Sequence, residues 1–294
     1  MARNRWLWGC ALLIVGTVAT IALAFFVVNV AMSGDEMAFA SLHGRVGLVE
    51  IVGEIDESET VVDQLDRMQR DATVKAVVLR IDSPGGGVAA SQEIYDAVRR
   101  VRDEGKPVVA SMGGVAASGG YYVACAADSI LANPGTLTGS IGVIMSFPNT
   151  EELFRKVGVK FETIKTGKFK DVGSMWRPMT DDERTLLQEV LGNVYDQFVN
   201  AIVDGRGMSR EDIIPYADGR IFSGDQALQY GFVDRLGSLE DAIDMASELG
   251  GIEGRPSVVR KERRRVSVLD FFDEKMNPMR ELLGSGPRLE YRLR

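Results

Sequence analysis

The 294-residue chain has one histidine, His43, and two cysteines, Cys10 and Cys125. His43 stands in the linker just after a long apolar stretch, which leaves no histidine to act as base for a serine in a folded core. With Cys10 inside that stretch, the two cysteines make neither a disulfide framework nor a metal site, and Cys125 reads as a small buried hydrophobe. A phosphate loop of the form G-x-x-x-x-G-K-S/T is absent. No stripe of Lys and Arg interleaved with aromatics appears in the central region, and the formal net charge is −8. Both features argue against nucleic acid as a partner. No period of about 20 to 50 residues recurs, so a solenoid is excluded. A serine nucleophile in such a chain needs a base other than histidine, and lysine remains, because burial disfavours the ammonium form and brings its pKa down toward working pH.

Charge is missing altogether from Trp6 to Met32. That run would reach roughly 40 Å as a helix, enough to cross a bilayer. We therefore expect a transmembrane anchor at 6–32, with residues 1–5 before it and a linker at 33–44 after it. Arg3 and Arg5 precede the run and Asp35-Glu36 follow it. By the positive-inside rule the N-terminus is cytoplasmic, and the body lies outside a bacterial inner membrane as a single-pass protein. A cleaved signal peptide ending near Ala38-Phe39-Ala40 is the alternative. The length of the run and its acidic spacer favour the uncleaved anchor.

The body, 45–255, reads as one α/β domain. β-Branched runs at Val46–Val52 and Val74–Ile81 are strands, and Glu59–Arg70 between them is an amphipathic helix. Val88–Arg102 is the next helix and Pro107–Met112 a strand. A helix opens at Ser118 and runs to about Ala127. Further strands are expected at Ser129–Leu131, Ile141–Met145 and Lys160–Lys165. Thr180-Asp-Asp-Glu183 is a capping box, and Leu186, Leu187, Val190, Leu191, Val194, Tyr195, Phe198 and Ile202 draw one apolar stripe on the helix behind it, as core or interface. Two shorter helices follow, one ending at Tyr230 and one starting at Ser238. Residues 256–294 form a basic, partly ordered tail, with more basic than acidic residues from Arg260 onward and a Gly-Ser-Gly-Pro break. It carries no recognisable motif; it packs on the body, touches anionic lipid or lies near the active-site groove.

Four segments can carry chemistry. Ser118 follows a strand and a Gly-Gly turn and opens an apolar helix, where free N–H groups favour a developing oxyanion; the plainer reading is a helix cap. Asp82-Ser-Pro-Gly-Gly-Gly87 joins a strand to a helix, and its glycines can present bare main-chain amides or simply make a tight turn. Lys165, Lys168 and Lys170 sit together in Lys165-Thr-Gly-Lys-Phe-Lys-Asp171, and spacing does not choose among them. Ser140, in Thr138-Gly-Ser-Ile-Gly142, can hold a neutral lysine or cap a turn.

In that order, and behind an N-terminal anchor, these motifs resemble the short bacterial signal peptide peptidases of type A. The likeness covers roughly residues 45 to 250. It implies an α/β fold of crotonase-like and ClpP-like repeated ββα units and a serine/lysine-dyad endopeptidase that degrades cleaved signal peptides at the membrane. The resemblance makes Ser118 the nucleophile, Lys170 the general base and Ser140 the hydroxyl that orients the lysine. Gly85, assisted by Gly119, becomes the main-chain oxyanion donor. It also implies a homo-oligomeric ring of about eight subunits in which serine and lysine come from adjacent protomers. No metal, nucleotide or cofactor is required. Another crotonase-type acyl enzyme and a non-catalytic membrane scaffold are the alternatives.

Overall fold

The computed structural model describes residues 44–260 and 289–292, together with Thr17 and Thr20. Apart from those two threonines the expected anchor at 6–32 lies outside the described residues, as does His43. Among the described residues no helix is long and apolar enough to cross a membrane.

Strands β1 (Arg45–Val52) and β2 (Val74–Ser83) pair in parallel, Leu48 opposite Val78. Their crossover is α1 (Glu59–Arg70), which buries Val61, Leu65 and Met68, spacings that keep one helical face inward. After β2 come the three glycines of β3 (Gly85–Gly87) and then α2 (Val88–Asp103), with Ile94, Tyr95, Val98 and Val101 buried. Strand β4 (Val108–Ala117) continues the parallel sheet beside β2. Val77, Val78, Leu79 and Ile81 of β2 are fully buried, as expected of a strand covered on both faces. Each such side chain contributes roughly 1.5–3 kcal/mol of burial.

The sheet divides along β4. Its first half pairs with β5 (Ser129–Ala132) and its second half with β6 (Leu137–Gly139), with α3 (Gly119–Ala124) between β4 and β5. The division falls at a bulge, where Ile81 faces Met112 but Ser83 faces Ala116. Asp82 fills that bulge and accepts the Val115 N–H at 3.0 Å, while a Cβ on Gly113 would stand 2.7 Å from its carboxyl carbon. The bend aims the end of β4 at the site described below.

Beyond β6 the chain forms α4 (Glu151–Lys156), the long α5 (Asp181–Arg206), α6 (Arg210–Ile213) and the edge strand β7 (Ile221–Ser223), antiparallel to β6. Helix α7 (Gly224–Gln229), strand β8 (Arg235–Leu236), helix α8 (Leu239–Leu249) and strand β9 (Ser257–Arg260) follow. The main strand order is β7-β6-β4-β2-β1-β9, and β8 pairs β5. Helix α8 covers the second face, where Ala242, Ile243 and Ala246 meet Val46, Leu48 and Val78. A last strand, β10 (Glu290–Arg292), pairs antiparallel with β3.

Three expected elements differ. The helix after Ser118 ends at Ala124, and turns carry the chain from Cys125 to Ala127. Ile141–Met145 is not a strand; Ile144 alone bridges, and its partner is Glu290. Lys160–Lys165 is likewise not a strand, its residues being exposed with no neighbouring strand to pair them among the described residues. A β-branched run supplies propensity, but a strand also needs a partner. The stripe on α5 is buried only in its second half, at Val194, Phe198 and Ile202, whereas Val190 is exposed. Cys125 is fully buried, and burial pushes its thiol up to about 12.

Candidate active site

Ser118 connects β4 to α3 with φ 51° and ψ −116°. It and Ser140, also at φ 51°, are the non-glycine residues with positive φ among those described. Such a conformation costs about 1–3 kcal/mol per residue and persists only where surrounding structure imposes it. Here β4 and β6 impose it together. Ala117 pairs with Gly139, the Ser118 N–H donates to the Gly139 carbonyl at 2.8 Å, and Thr138 Oγ1 donates to the Ala116 carbonyl at 2.7 Å. Ser118 and Ser140 therefore leave adjacent strands side by side, a strand spacing of about 5 Å apart. The Ser140 N–H is held in turn by the Arg220 carbonyl at 2.7 Å.

Ser118 occupies the cap position of α3 but makes no capping bond. It is 1% exposed, and its Oγ has no hydrogen-bond partner within the described protomer. A buried hydroxyl left unpaired is costly, so this serine does not behave as a helix cap.

Gly85, at φ 100°, turns the chain beneath Ser118. A Cβ there would lie 2.0 Å from the Tyr291 carbonyl oxygen and 2.7 Å from the Gly119 nitrogen, so only glycine fits. Gly119 is the first residue of α3, and its N–H has no intrahelical acceptor. A Cβ on Gly119 would stand 3.2 Å from that same Tyr291 oxygen. The Gly85 N–H itself donates to Ser83 Oγ at 3.1 Å. In this state Gly119 is thus the less committed of the two amides near the carbonyl.

The carbonyl belongs to the tail, whose described residues 289–292 lie in the groove while Ser257–Arg260 pair with β1 on the body. Glu290, Tyr291 and Arg292 lie opposite Gly87, Gly86 and Gly85. On its other side Glu290 exchanges two main-chain bonds with Ile144, at 3.1 and 3.2 Å. Tyr291 is fully buried, stacked on Tyr122 of α3 and tilted against Phe198 of α5. Its hydroxyl donates to the Val194 carbonyl at 3.0 Å. Burial pushes the phenols of Tyr122 and Tyr291 well above their ordinary range, so Tyr291 remains a neutral donor. In the sequence the second half of the α5 stripe was the one visible trace of this aromatic slot.

The lysine segment stands apart, exposed. Of its three lysines, Lys165 pairs with Asp171 at 2.5 Å and Lys168 pairs with Asp182. Lys170 makes no ion pair among the described residues. Its segment is clasped to the start of α5 by Arg177, which donates to Asp171 Oδ2 at 3.0 Å and forms a two-pronged pair with Glu183. Glu183 also closes the capping box by accepting the Thr180 N–H at 2.9 Å. The Arg177 guanidinium holds Glu183 down at about 2, and Arg177 with Lys165 holds Asp171 well below its usual range. The capping box was legible in the sequence, but the clasp was not. Within one protomer the structure thus brings together Ser118, Ser140, Gly85 and Gly119, and leaves Lys170 on an exposed arm.

Peptidase family S49 matches residues 100–253, and the Clp protease family matches residues 40–134. A protein of Synechocystis sp. is 39% identical over 252 residues, covering 85% of this chain and 87% of its own length. Protease 4 of Haemophilus influenzae is 35% identical over 73% of this chain and 35% of its own. The serine protease SPPA, chloroplastic, of Arabidopsis thaliana is 33% identical over 80% of this chain and 35% of its own. The chain therefore spans only about a third of those two proteases. A ClpP1 mutant from Listeria monocytogenes is 20% identical over 67% of this chain and 94% of its own, with a TM-score of 0.46. A serine-type peptidase with a ClpP-like α/β fold and a mixed sheet is the class defined here. The chain belongs to peptidase family S49.

Proposed function

We propose that this peptidase is a membrane-anchored endopeptidase working through a Ser118/Lys170 dyad and degrading cleaved signal peptides at the bacterial inner membrane. The observation that carries the dyad reading is Ser118 itself, a buried, backbone-strained hydroxyl with no partner in its own protomer, set beside a groove that accepts an extended chain. Ser118 Oγ attacks the carbonyl carbon, and Lys170, neutral, takes the hydroxyl proton. The oxyanion is met by the Gly119 N–H and by the Gly85 N–H once it turns from Ser83. Collapse of the intermediate breaks the C–N bond, Lys170 returns its proton to the leaving amine, and water hydrolyses the acyl-enzyme. Ser140, beside Ser118, donates or accepts at the lysine nitrogen and holds it in line.

Lys170 is exposed in the protomer, which supports its delivery by a neighbouring copy in a ring, as in the type A peptidases this chain resembles. The apolar anchor expected at 6–32 supports the membrane setting, and a groove lined by Tyr122 and Phe198 suits apolar segments. Turnover of a fluorogenic apolar peptide by wild type, Ser118→Ala and Lys170→Ala tests the reading. Both substitutions are expected to lower kcat/KM by about 10³-fold or more with the assembly size unchanged. Full turnover by Ser118→Ala would overturn the nucleophile assignment.

A further inference from the structure

We propose that Ser83 is a positioning residue that keeps half of the oxyanion hole shut at rest: its hydroxyl holds the Gly85 amide and yields it only to the negatively charged oxygen of the transition state. This deepens the reading of Ser118, Gly85 and Gly119 as the catalytic centre and rests on it. Gly85 is buried, and a buried main-chain N–H needs an acceptor. Ser83, the last residue of β2 and itself fully buried, supplies that acceptor at 3.1 Å. Its own place is set by packing. A Cβ on Gly120, in the first turn of α3, would stand 3.0 Å from the Ser83 carbonyl oxygen and 3.5 Å from the Ser83 Cβ. Ser83 thus lies under the helix end that carries Gly119, and it stays put when the amide leaves.

The part free to move is the peptide between Pro84 and Gly85. Beyond it the chain is pinned to Ile55, whose N–H donates to the Gly85 carbonyl at 2.9 Å and whose carbonyl accepts the Gly87 N–H at 2.8 Å. Pro84 has a fixed φ and no N–H, and its carbonyl accepts no main-chain bond among the described residues. Turning this peptide over therefore breaks one hydrogen bond, the one to Ser83. It carries Gly85 from φ 100° to the negative side, a change that glycine makes without strain. A hydroxyl and a neutral carbonyl are acceptors of similar strength, whereas a hydrogen bond to an ionised oxygen is roughly twice as strong. The exchange gains nothing for a bound substrate and becomes favourable once Ser118 Oγ has attacked and charge has reached the carbonyl oxygen. Only interactions that strengthen at that point lower the barrier. The bond to Ser83 must still break on every turnover, so Ser83 stabilises the resting fold and slows the chemistry.

The test compares wild type, Ser83→Ala and Ser83→Cys as full chains, by thermal unfolding and by turnover of a fluorogenic apolar peptide. Alanine leaves the Gly85 amide without its resting acceptor, so the melting temperature is expected to fall by a few degrees. In the same variant kcat/KM is expected to rise about threefold, because no bond to Ser83 has to break. The thiol of cysteine is a weaker acceptor in nearly the same volume, so Ser83→Cys should lie between the two. It also carries the test if the alanine variant does not fold. A merely structural role for Ser83 predicts the opposite, stability and turnover falling together. A kcat/KM at or below that of wild type in every variant that folds overturns the proposal. Ser118→Ala, measured alongside, separates this outcome from a failure of the catalytic centre. If Ser118→Ala turns over as wild type does, the reading of the centre falls and the role of Ser83 falls with it. If Ser118→Ala is inert and neither Ser83 variant is faster than wild type, the role of Ser83 alone falls.

Discussion

Ser118 and Ser140 share a positive φ that L-residues avoid, and they share it because they follow paired strand positions, Ala117 and Gly139. The strain is imposed by the ends of two strands and is not a property of either side chain. Backbone cost and hydroxyl function can therefore be separated at Ser140, whose φ is 51°. Ser140→Gly removes the conformational penalty together with the hydroxyl. Its melting temperature is expected to equal or exceed that of wild type, while kcat falls by about tenfold or more as the lysine loses its orienting partner. A variant that keeps full turnover would show that Ser140 is only a turn residue. Gly85 shows the converse, a position where the demand is for space: the Tyr291 carbonyl occupies the volume a side chain would need.

Among the elements, the arm and its clasp decide where the proposed base, Lys170, is held. Glu183 accepts from Arg177 and from the Thr180 N–H at once, so a single carboxylate ties the lysine segment to the first turn of α5. Its pKa lies at about 2 against an ordinary 4.5, and that of Asp171 is also lowered. Groups with a depressed folded-state pKa stabilise the fold above their ordinary value, and this contribution is lost as pH falls through the depressed one. Arg177→Met should lower the melting temperature by a few degrees at pH 7. The gap from wild type should narrow as pH drops from about 4.5 toward about 2, because protonated Glu183 no longer needs the guanidinium. A gap independent of pH would mean that Arg177 acts through packing alone. The clasp also marks the limit of what sequence discloses. Helices such as Glu59–Arg70 and the Thr180 capping box were legible because their periodicity and caps are local. The Ser-Gly-Gly and Pro-Gly-Gly motifs marked the strand-to-helix turns at Ser118 and Gly85 because each turn requires particular residue types. Ile141–Met145 and Lys160–Lys165 misled, since strand formation depends on a neighbour that no local pattern announces. For the same reason Tyr291 was unreadable: its meaning comes from the slot built by Tyr122, Val194 and Phe198, far from it in the chain.

In the whole molecule a strained serine sits in a closed groove and the lysine sits outside, on an arm whose apolar surface is uncovered. Leu153, Val157, Phe161 and Ile164 are exposed, Ile164 completely, although Phe154, Phe161 and Trp176 already form an aromatic cluster at the arm's base. Monomeric proteins seldom leave such a run open, and a second copy of the chain is the occupant the proposed ring supplies. The proposed sharing of the dyad makes a sharper prediction than assembly size, because it concerns which chain supplies which atom. Ser118→Ala and Lys170→Ala proteins are each expected to be inactive alone. Co-assembled in equal amounts, each Ser118 would meet an intact Lys170 on its neighbour by chance, restoring about a quarter of the wild-type sites. If serine and lysine came from the same chain, every protomer in the mixture would lack one of them and activity would stay at background. Turnover measured before and after dissociating and re-mixing the two variants distinguishes these outcomes, and a mixture still inert after subunit exchange would place Lys170 with the Ser118 of its own protomer.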